Sequence, residues 1–161
     1  MTSSRLVITP RASGEALPYE LLLLADPERD MVDAYLSRSE VFLARDGSAT
    51  NPSAAPVGVL VLTPLTNGEI EIKNIAVRED RQGAGIGRQL LVFARDEARR
   101  RGLQALEIGT GNSSLGQLAL YQKCGFRVDR VERDFFTRHY PEPIYENGIQ
   151  CRDMIMLRLE L

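Results

Sequence analysis

The chain has no tryptophan, one histidine and two cysteines. These scarcities already exclude several chemistries. Cys124 and Cys151 are too few for a disulfide framework, and neither belongs to a Cys-x-x-Cys pair. With His139 as the single histidine, no metal site is expected. The longest pure apolar run, Leu21 to Ala25, is far short of the ~20 residues of a membrane span, so no membrane partner is expected. Basic charge is not in surplus either. Lys and Arg number 20 against 22 Asp and Glu, for a net charge of −2. Binding to a phosphate backbone draws on a basic excess, so no nucleic-acid partner is expected. Lysine is nearly missing (Lys73 and Lys123), which leaves arginine as the cation throughout. Met1-Thr2-Ser3-Ser4-Arg5 has no charged segment leading into an apolar one. That predicts no signal peptide, a cytoplasmic location and reduced thiols.

What is present is ordinary for a folded domain. Hydrophobic residues make up 43% and charged residues 26% of 161 residues. Against a prior of roughly 150 residues per domain, this predicts one domain over 1–161. No internal repeat or low-complexity tract interrupts it.

Periodicity supplies the elements. Arg5 to Thr9 alternates and stops at Pro10, which predicts a first strand. A helix is expected from Pro18 through Ala25, broken by Asp26-Pro27, and a second over Glu28 to Ser37. Val41–Ala44 and Val57–Leu62 are β-rich, with a long polar connection, Arg45 to Ser53, between them. Asn67-Gly68 is a two-residue hairpin signal leading into Glu69–Val77, where Ile70 and Ile72 alternate with Glu69, Glu71 and Lys73. A long helix is predicted from about Gly85 to Arg101, with Leu90, Leu91, Ala94 and Ala98 as its apolar stripe and Gly102 as its stop. A buried strand, Leu103–Ile108, follows. Ser114-Leu115-Gly116-Gln117 has the form of a capping box for a helix running to Lys123, terminated by Gly125. Phe126–Val131 and Cys151–Leu159 read as closing strands, with Asp134–Gly148 irregular between them. The result is a mixed α/β fold.

Chemistry concentrates at Gln82-Gly83-Ala84-Gly85-Ile86-Gly87, between the most regular strand and the longest helix. Glycines at alternate positions let a backbone approach a ligand. Successive N–H groups at a helix start form an anion site suited to phosphate, and Arg78, Arg81 and Arg88 flank it. The other reading is a tight turn that simply needs glycine. A P-loop would require Gly-Lys-Ser/Thr, which is absent. A dinucleotide fingerprint fails at Arg88, although Glu107 lies where a ribose-binding acid would.

Gln82-x-x-Gly85-x-Gly87 follows Asn74-Ile75-Ala76-Val77 and precedes Leu120-Tyr121-Gln122-Lys123-Cys124-Gly125-Phe126. This combination resembles the GNAT superfamily of acetyl-CoA-dependent N-acetyltransferases, most strongly from Glu69 to Phe126. The resemblance implies a mixed, mostly antiparallel sheet of six to seven strands flanked by about four helices, with acetyl-CoA as co-substrate. It implies that the backbone of Ile75, Ala76 and Val77 pairs with the pantetheine arm and offers an oxyanion donor. The pyrophosphate is expected on the amides of Gly83, Ala84, Gly85, Ile86, Gly87 and Arg88, with Gln82 opening the motif. Asn112 matches a polar position that contacts the cofactor, or else it or Ser113 caps the next helix. Tyr121 matches the general acid that protonates the leaving thiolate, or else packs between helix and sheet. Glu71 matches a catalytic glutamate, or else belongs with Glu69 to a solvated face paired with Lys73.

The tail, Arg133-Asp134-Phe135-Phe136 and then Cys151-Arg152-Asp153-Met154-Ile155-Met156, resembles bacterial N-terminal acetyltransferases of the ribosomal alanine type. It departs from them by the insert Pro141–Gly148. Tyr140, Glu142, Tyr145 and Glu146 give that insert an acidic, aromatic character suited to a cationic amine. The expected function is therefore acetyl transfer to a primary amine of a small molecule, in a ternary complex. A peptide N-terminus, a non-catalytic acyl-CoA module and a nucleotide-binding oxidoreductase are the rivals, and a homodimer is an open arrangement.

Overall fold

The computed structural model describes residues 5–47 and 54–161. Its order is β1 (Leu6–Pro10), α1 (Tyr19–Ala25), α2 (Arg29–Leu36), β2 (Glu40–Asp46), β3 (Gly58–Pro64), β4 (Glu69–Val77), α3 (Ile86–Arg100), β5 (Ala105–Gly111), α4 (Leu115–Lys123), β6 (Arg127–Glu132), α5 (Phe135–His139), β7 (Ile144–Glu146), β8 (Ile149–Cys151) and β9 (Met154–Glu160). The sheet is seven-stranded in the order β1-β2-β3-β4-β5-β9-β6, and β7 and β8 form a separate hairpin. Among the described residues five α-helices stand where about four were expected. The expected Arg45–Ser53 connection is in part the end of β2, and its residues 48–53 lie outside the described residues.

The chain is described as two compact units. The first takes the described residues up to Pro64 together with Ile72–Glu97. β1, β2 and β3 run antiparallel there, with Leu6 opposite Asp46 and Val41 opposite Val61. Leu21, Leu22, Val32 and Tyr35 of the first two helices pack on Leu43, Val59, Val61 and Ala76. α3 buries the expected stripe, with Leu90, Leu91 and Ala94 almost fully covered, and Phe93 meets Phe42 edge-on at 5.1 Å.

The second unit is Leu65–Glu71 with Ala98–Leu161. β9 lies between β5 and β6, antiparallel to both, from Ala105 opposite Glu160 to Gly111 opposite Met154. β5 and β6 are therefore parallel to each other without touching. A bulge at Asp129 interrupts β6, and Arg127 to Val131 are exposed. α4 ends with Phe126 N–H donating to Tyr121 C=O (3.0 Å) and Gly125 N–H donating to Gln122 C=O (3.0 Å). This closure turns Phe126 back onto Tyr121.

Four expectations need correction. Asp134–Gly148 is ordered. Phe135 stacks on His139 (4.6 Å) and Phe136 on Tyr140 (5.3 Å), the four-residue spacing that one helical turn makes adjacent. Asn147 and Gly148 both have positive φ (55° and 73°), making a two-residue turn of the primed type that joins β7 to β8. At Asn67-Gly68 the reverse holds. Four residues, Leu65 to Gly68, connect β3 to β4, closed by Leu65 N–H to Glu69 C=O (2.9 Å). Cys151 ends β8, and the closing strand begins at Met154. Finally, Ser114 occupies the start of α4 but makes no capping hydrogen bond. Its Oγ donates instead to the Glu146 carboxylate at 3.2 and 3.3 Å.

Candidate active site

In the first unit, β4 ends at Val77, a single 3-10 turn covers Glu79–Arg81, and the glycine loop leads into α3. Ala76 is buried, whereas Ile75 and Val77 are half-buried. Gly58 on β3 makes the close approach possible. A Cβ there would lie 3.3 Å from the Ala76 carbonyl oxygen and 3.2 Å from Leu90 Cδ1. The loop folds back on the strand through Gln82 Nε2, which donates to Val77 C=O at 3.0 Å.

Gly83 and Gly85 hold φ of 78° and 84°, a region that side chains disfavour, and a Cβ on either would meet nothing within 4 Å. The loop therefore needs glycine for conformation and leaves open space where side chains would stand. Gln82, Gly83, Ala84 and Gly85 are exposed, Gly87 is half-buried, and Ile86 is buried as the anchor of the helix. The first backbone bond of α3 runs from Gln89 N–H to Gly85 C=O (3.1 Å). The N–H groups of Ile86, Gly87 and Arg88 thus have no partner within the helix. Of the flanking arginines, Arg78 is tied to Asp80 (2.6 Å) and Arg81 grips both oxygens of Asp46. Arg88 is exposed and has no ion pair among the described residues. An open cradle of amides with one uncommitted arginine fits a phosphate-bearing group.

In the second unit, α4 buries Tyr121, which is 5% exposed, with its ring tilted against Phe126 at 6.3 Å. Burial alone pushes its phenol pKa upward. Three side-chain polar atoms among the described residues are sealed without a partner, namely Arg11 Nε, Asn74 Oδ1 and Ser113 Oγ. The Tyr121 hydroxyl is not one of them, and it has no hydrogen bond to the described residues. It is a protonated donor with its hydrogen uncommitted.

Asn112 has structural work. Its Oδ1 accepts from Arg152 N–H (2.8 Å) and Asp153 N–H (3.0 Å), and its Nδ2 donates to Gln150 C=O (3.1 Å). Neither it nor Ser113 occupies the capping position of α4, which belongs to Ser114. With Asn147 Nδ2 donating to Ser113 C=O (2.8 Å), these bonds dock the β7–β8 hairpin on the β5–α4 turn. Sequence reading missed this dock because its partners are 32 to 41 residues apart.

Glu71 is half-buried on the face of β4 opposite Ile70 and Ile72. Glu69 does not lie on a solvated face. It is 8% exposed, and Arg158 reaches it at 2.7 Å, which holds its carboxyl below the usual range. Arg158 and Arg130 also hold Glu107 (3.5 and 3.2 Å), itself 5% exposed. Glu107 is thus committed to a buried ion-pair network and is not placed as a ribose acid. The expected acidic, aromatic wall is divided. Tyr140 and Glu142 line a pocket, Glu146 is taken by Ser114, and Tyr145 is 65% exposed. His139 stacks on Phe135 outside that pocket. Among the described residues, no group of three His, Cys, Asp or Glu could hold a metal, and no helix is long and apolar enough to cross a membrane.

Comparison with known proteins shows the family. Residues 15–126 match the Acetyltransferase (GNAT) family. The chain is 52% identical over 143 residues to the uncharacterised N-acetyltransferase YvbK of Bacillus subtilis, covering 89% of this chain and 88% of that one. A GNAT family acetyltransferase from Elizabethkingia anophelis, solved with acetyl-CoA bound, superposes with a TM-score of 0.90 at 47% identity, covering 97% and 98% of the two chains. An IAA acetyltransferase from Bacillus cereus superposes with a TM-score of 0.89 at 46% identity, covering 98% and 100%. The glycine cradle, the buried tyrosine and these matches together make the chain a member of the GNAT acetyltransferase family.

Proposed function

We propose that this enzyme transfers an acetyl group from acetyl-CoA to a primary amine of a small molecule, by direct attack within a ternary complex, in the cytoplasm. The observation that carries the reading is the cradle at the start of α3. Two positive-φ glycines with open space above them, and three helix-start amides without helical partners, suit a pyrophosphate. When bound, acetyl-CoA supplies an acyl group already activated as a thioester. The residues of this chain do the rest. The amides of Gly83, Ala84, Gly85, Ile86, Gly87 and Arg88 bind phosphate, with Gln82 bracing the loop. The main chain of Ile75, Ala76 and Val77 orients the thioester and presents an N–H where negative charge develops. Tyr121 donates its hydroxyl proton toward the departing sulfur. Glu71 accepts the proton that an alkylammonium must lose, a step costing roughly 4–5 kcal/mol at pH 7 for a pKa of ~10.4. Asn112, which holds the β5–α4 turn in shape, is the polar residue offered to the cofactor beside that turn.

A covalent acyl-enzyme is not favoured. Cys151 is buried, and burial pushes its thiol upward, away from the thiolate that a nucleophile requires. The deciding experiment is thiol release from acetyl-CoA with a panel of polyamines, aminoglycosides, amino acids, IAA and N-terminal peptides. Turnover of a small amine is the expected result. Preference for the peptides would transfer the reading to protein N-termini. No thiol release with any acceptor, alongside tight CoA binding, would make the chain an acyl-CoA-binding module.

A further inference from the structure

The second unit contains a pocket of about 230 Å³ between α5, the strap that follows it, and β8. Phe136 lines it from the helix, Tyr140 from the residue that ends it, Glu142 from the strap, and Gln150 and Cys151 from the strand. Glu142 is the only charged residue among those lining it. Its walls are held in place. Phe136 N–H donates to Arg152 C=O and Tyr140 N–H to Phe136 C=O, both at 3.0 Å. Pro141 and Pro143 fix the backbone on either side of Glu142. Cys151, at the back, abuts Gly111, the last residue of β5, and α4 with Tyr121 follows four residues later.

From this arrangement we infer that the pocket anchors a second, non-reacting cationic group of the acceptor, so that the substrate is a compact diamine. The inference rests on the amine-acceptor reading above and adds the substrate class to it. Two aromatic rings and one carboxylate, with no cation among them, select positive charge, since a cation is attracted to a ring face within about 6 Å. The volume lies below the roughly 300–1,000 Å³ of sites for drug-sized ligands, so it suits one cationic head and a short alkyl body. The chemistry decides which amine sits there. A carboxylate beside an amine favours the ammonium form, whereas attack on a thioester needs the free lone pair. The amine held by Glu142 is therefore not the nucleophile, and a second amine on the same molecule must be.

Two measurements on the full chain test this. In the first, tetramethylammonium, which cannot be acetylated, is titrated without CoA while the amide NMR signals of Gln150 and Cys151 are followed. Saturable shifts are expected, weakened by about tenfold or more in Glu142→Gln and in Phe136→Leu. Glu142 is exposed, so the Gln variant is expected to fold even if the Phe136 variant does not. In the second, kcat/KM is compared for 1,5-diaminopentane and n-pentylamine. The diamine should be preferred by about tenfold or more, mainly through KM, and Glu142→Gln should bring the ratio close to one. An enzyme that acetylates amines, yet shows no cation-induced shift and no diamine preference, overturns the pocket assignment and leaves the acceptor reading intact. A protein that binds the cation but acetylates no amine retains the site and overturns the acceptor reading.

Discussion

Replacing Tyr121 with phenylalanine removes one oxygen from a site that separates packing from chemistry. The ring is 5% exposed and lies against Phe126, so phenylalanine fills the same space. The hydroxyl makes no hydrogen bond to the described residues, so the usual loss of about 1 kcal/mol per bond does not apply. Stability should change by no more than about 0.5 kcal/mol. CoA affinity should hold within about threefold, under 0.7 kcal/mol. The chemical step should slow by about 10²-fold or more, near 2.7 kcal/mol of barrier. An ordinary phenol near 10 is a weaker acid than a thiol near 8.5, so donation to a thiolate is uphill by about 2 kcal/mol. Burial raises the Tyr121 phenol further. Its help must then come late, as the sulfur gathers charge, and must depend on how basic that sulfur becomes. Single-turnover rates with acetyl-CoA and with an acetyl thioester of a more acidic thiol measure this dependence. The Phe variant should lose markedly less with the acidic leaving group. The raised phenol should also stay protonated beyond pH 10, so wild-type kcat should show no alkaline fall near that value. Near wild-type rates with both donors would refute the acid role. Equal losses with both donors, together with a lowered melting temperature, would show that the ring is only packing.

Other perturbations probe the cradle and the framework. Gly85→Val forces a β-branched side chain into φ of 84° and fills the space above the loop. CoA should bind at least about tenfold more weakly in calorimetry, more than 1.4 kcal/mol, and unchanged affinity in a folded variant would remove the phosphate from this loop. Gly111→Ala places a Cβ against Cys151 Sγ, costing about 1–3 kcal/mol in denaturant melts, and adding Cys151→Ala should restore part of that loss. Glu69 titrates below the usual carboxylate range because Arg158 is beside it. Its contribution is complete above the unfolded value near 4.5 and is lost as pH falls through the lower folded value, so Arg158→Met should flatten the acid limb of a stability-versus-pH curve.

The residues that could be read from the sequence are those whose signal is local. Leu90, Leu91, Ala94 and Ala98 follow helical spacing, and all four are buried as that spacing requires. Gly83 and Gly85 announce a loop whose backbone needs glycine, and both take positive φ. The two Asn-Gly pairs show where local reading fails. The same dipeptide closes a two-residue turn at 147–148 and ends a four-residue connection at 67–68. At the first site Asn147 has a distant partner in the Ser113 carbonyl, whereas at the second Gly68 C=O accepts from Gln104 N–H. Turn chemistry permits either geometry, and contacts tens of residues away choose between them. The same holds for the charged positions. Glu69 looks like a surface residue of an alternating strand, and Glu107 like a possible ligand-binding acid, until Arg158, from the end of the chain, reaches both. A carboxylate can be buried only with such a partner, and no periodicity in its own strand reveals that a partner exists. Catalytic and anchoring roles belong to this second kind of information. Tyr121 could be picked out because a family motif surrounds it. Glu142 acquires its proposed role only when α5, the strap and β8 bring it to the wall of one pocket with Phe136 and Tyr140.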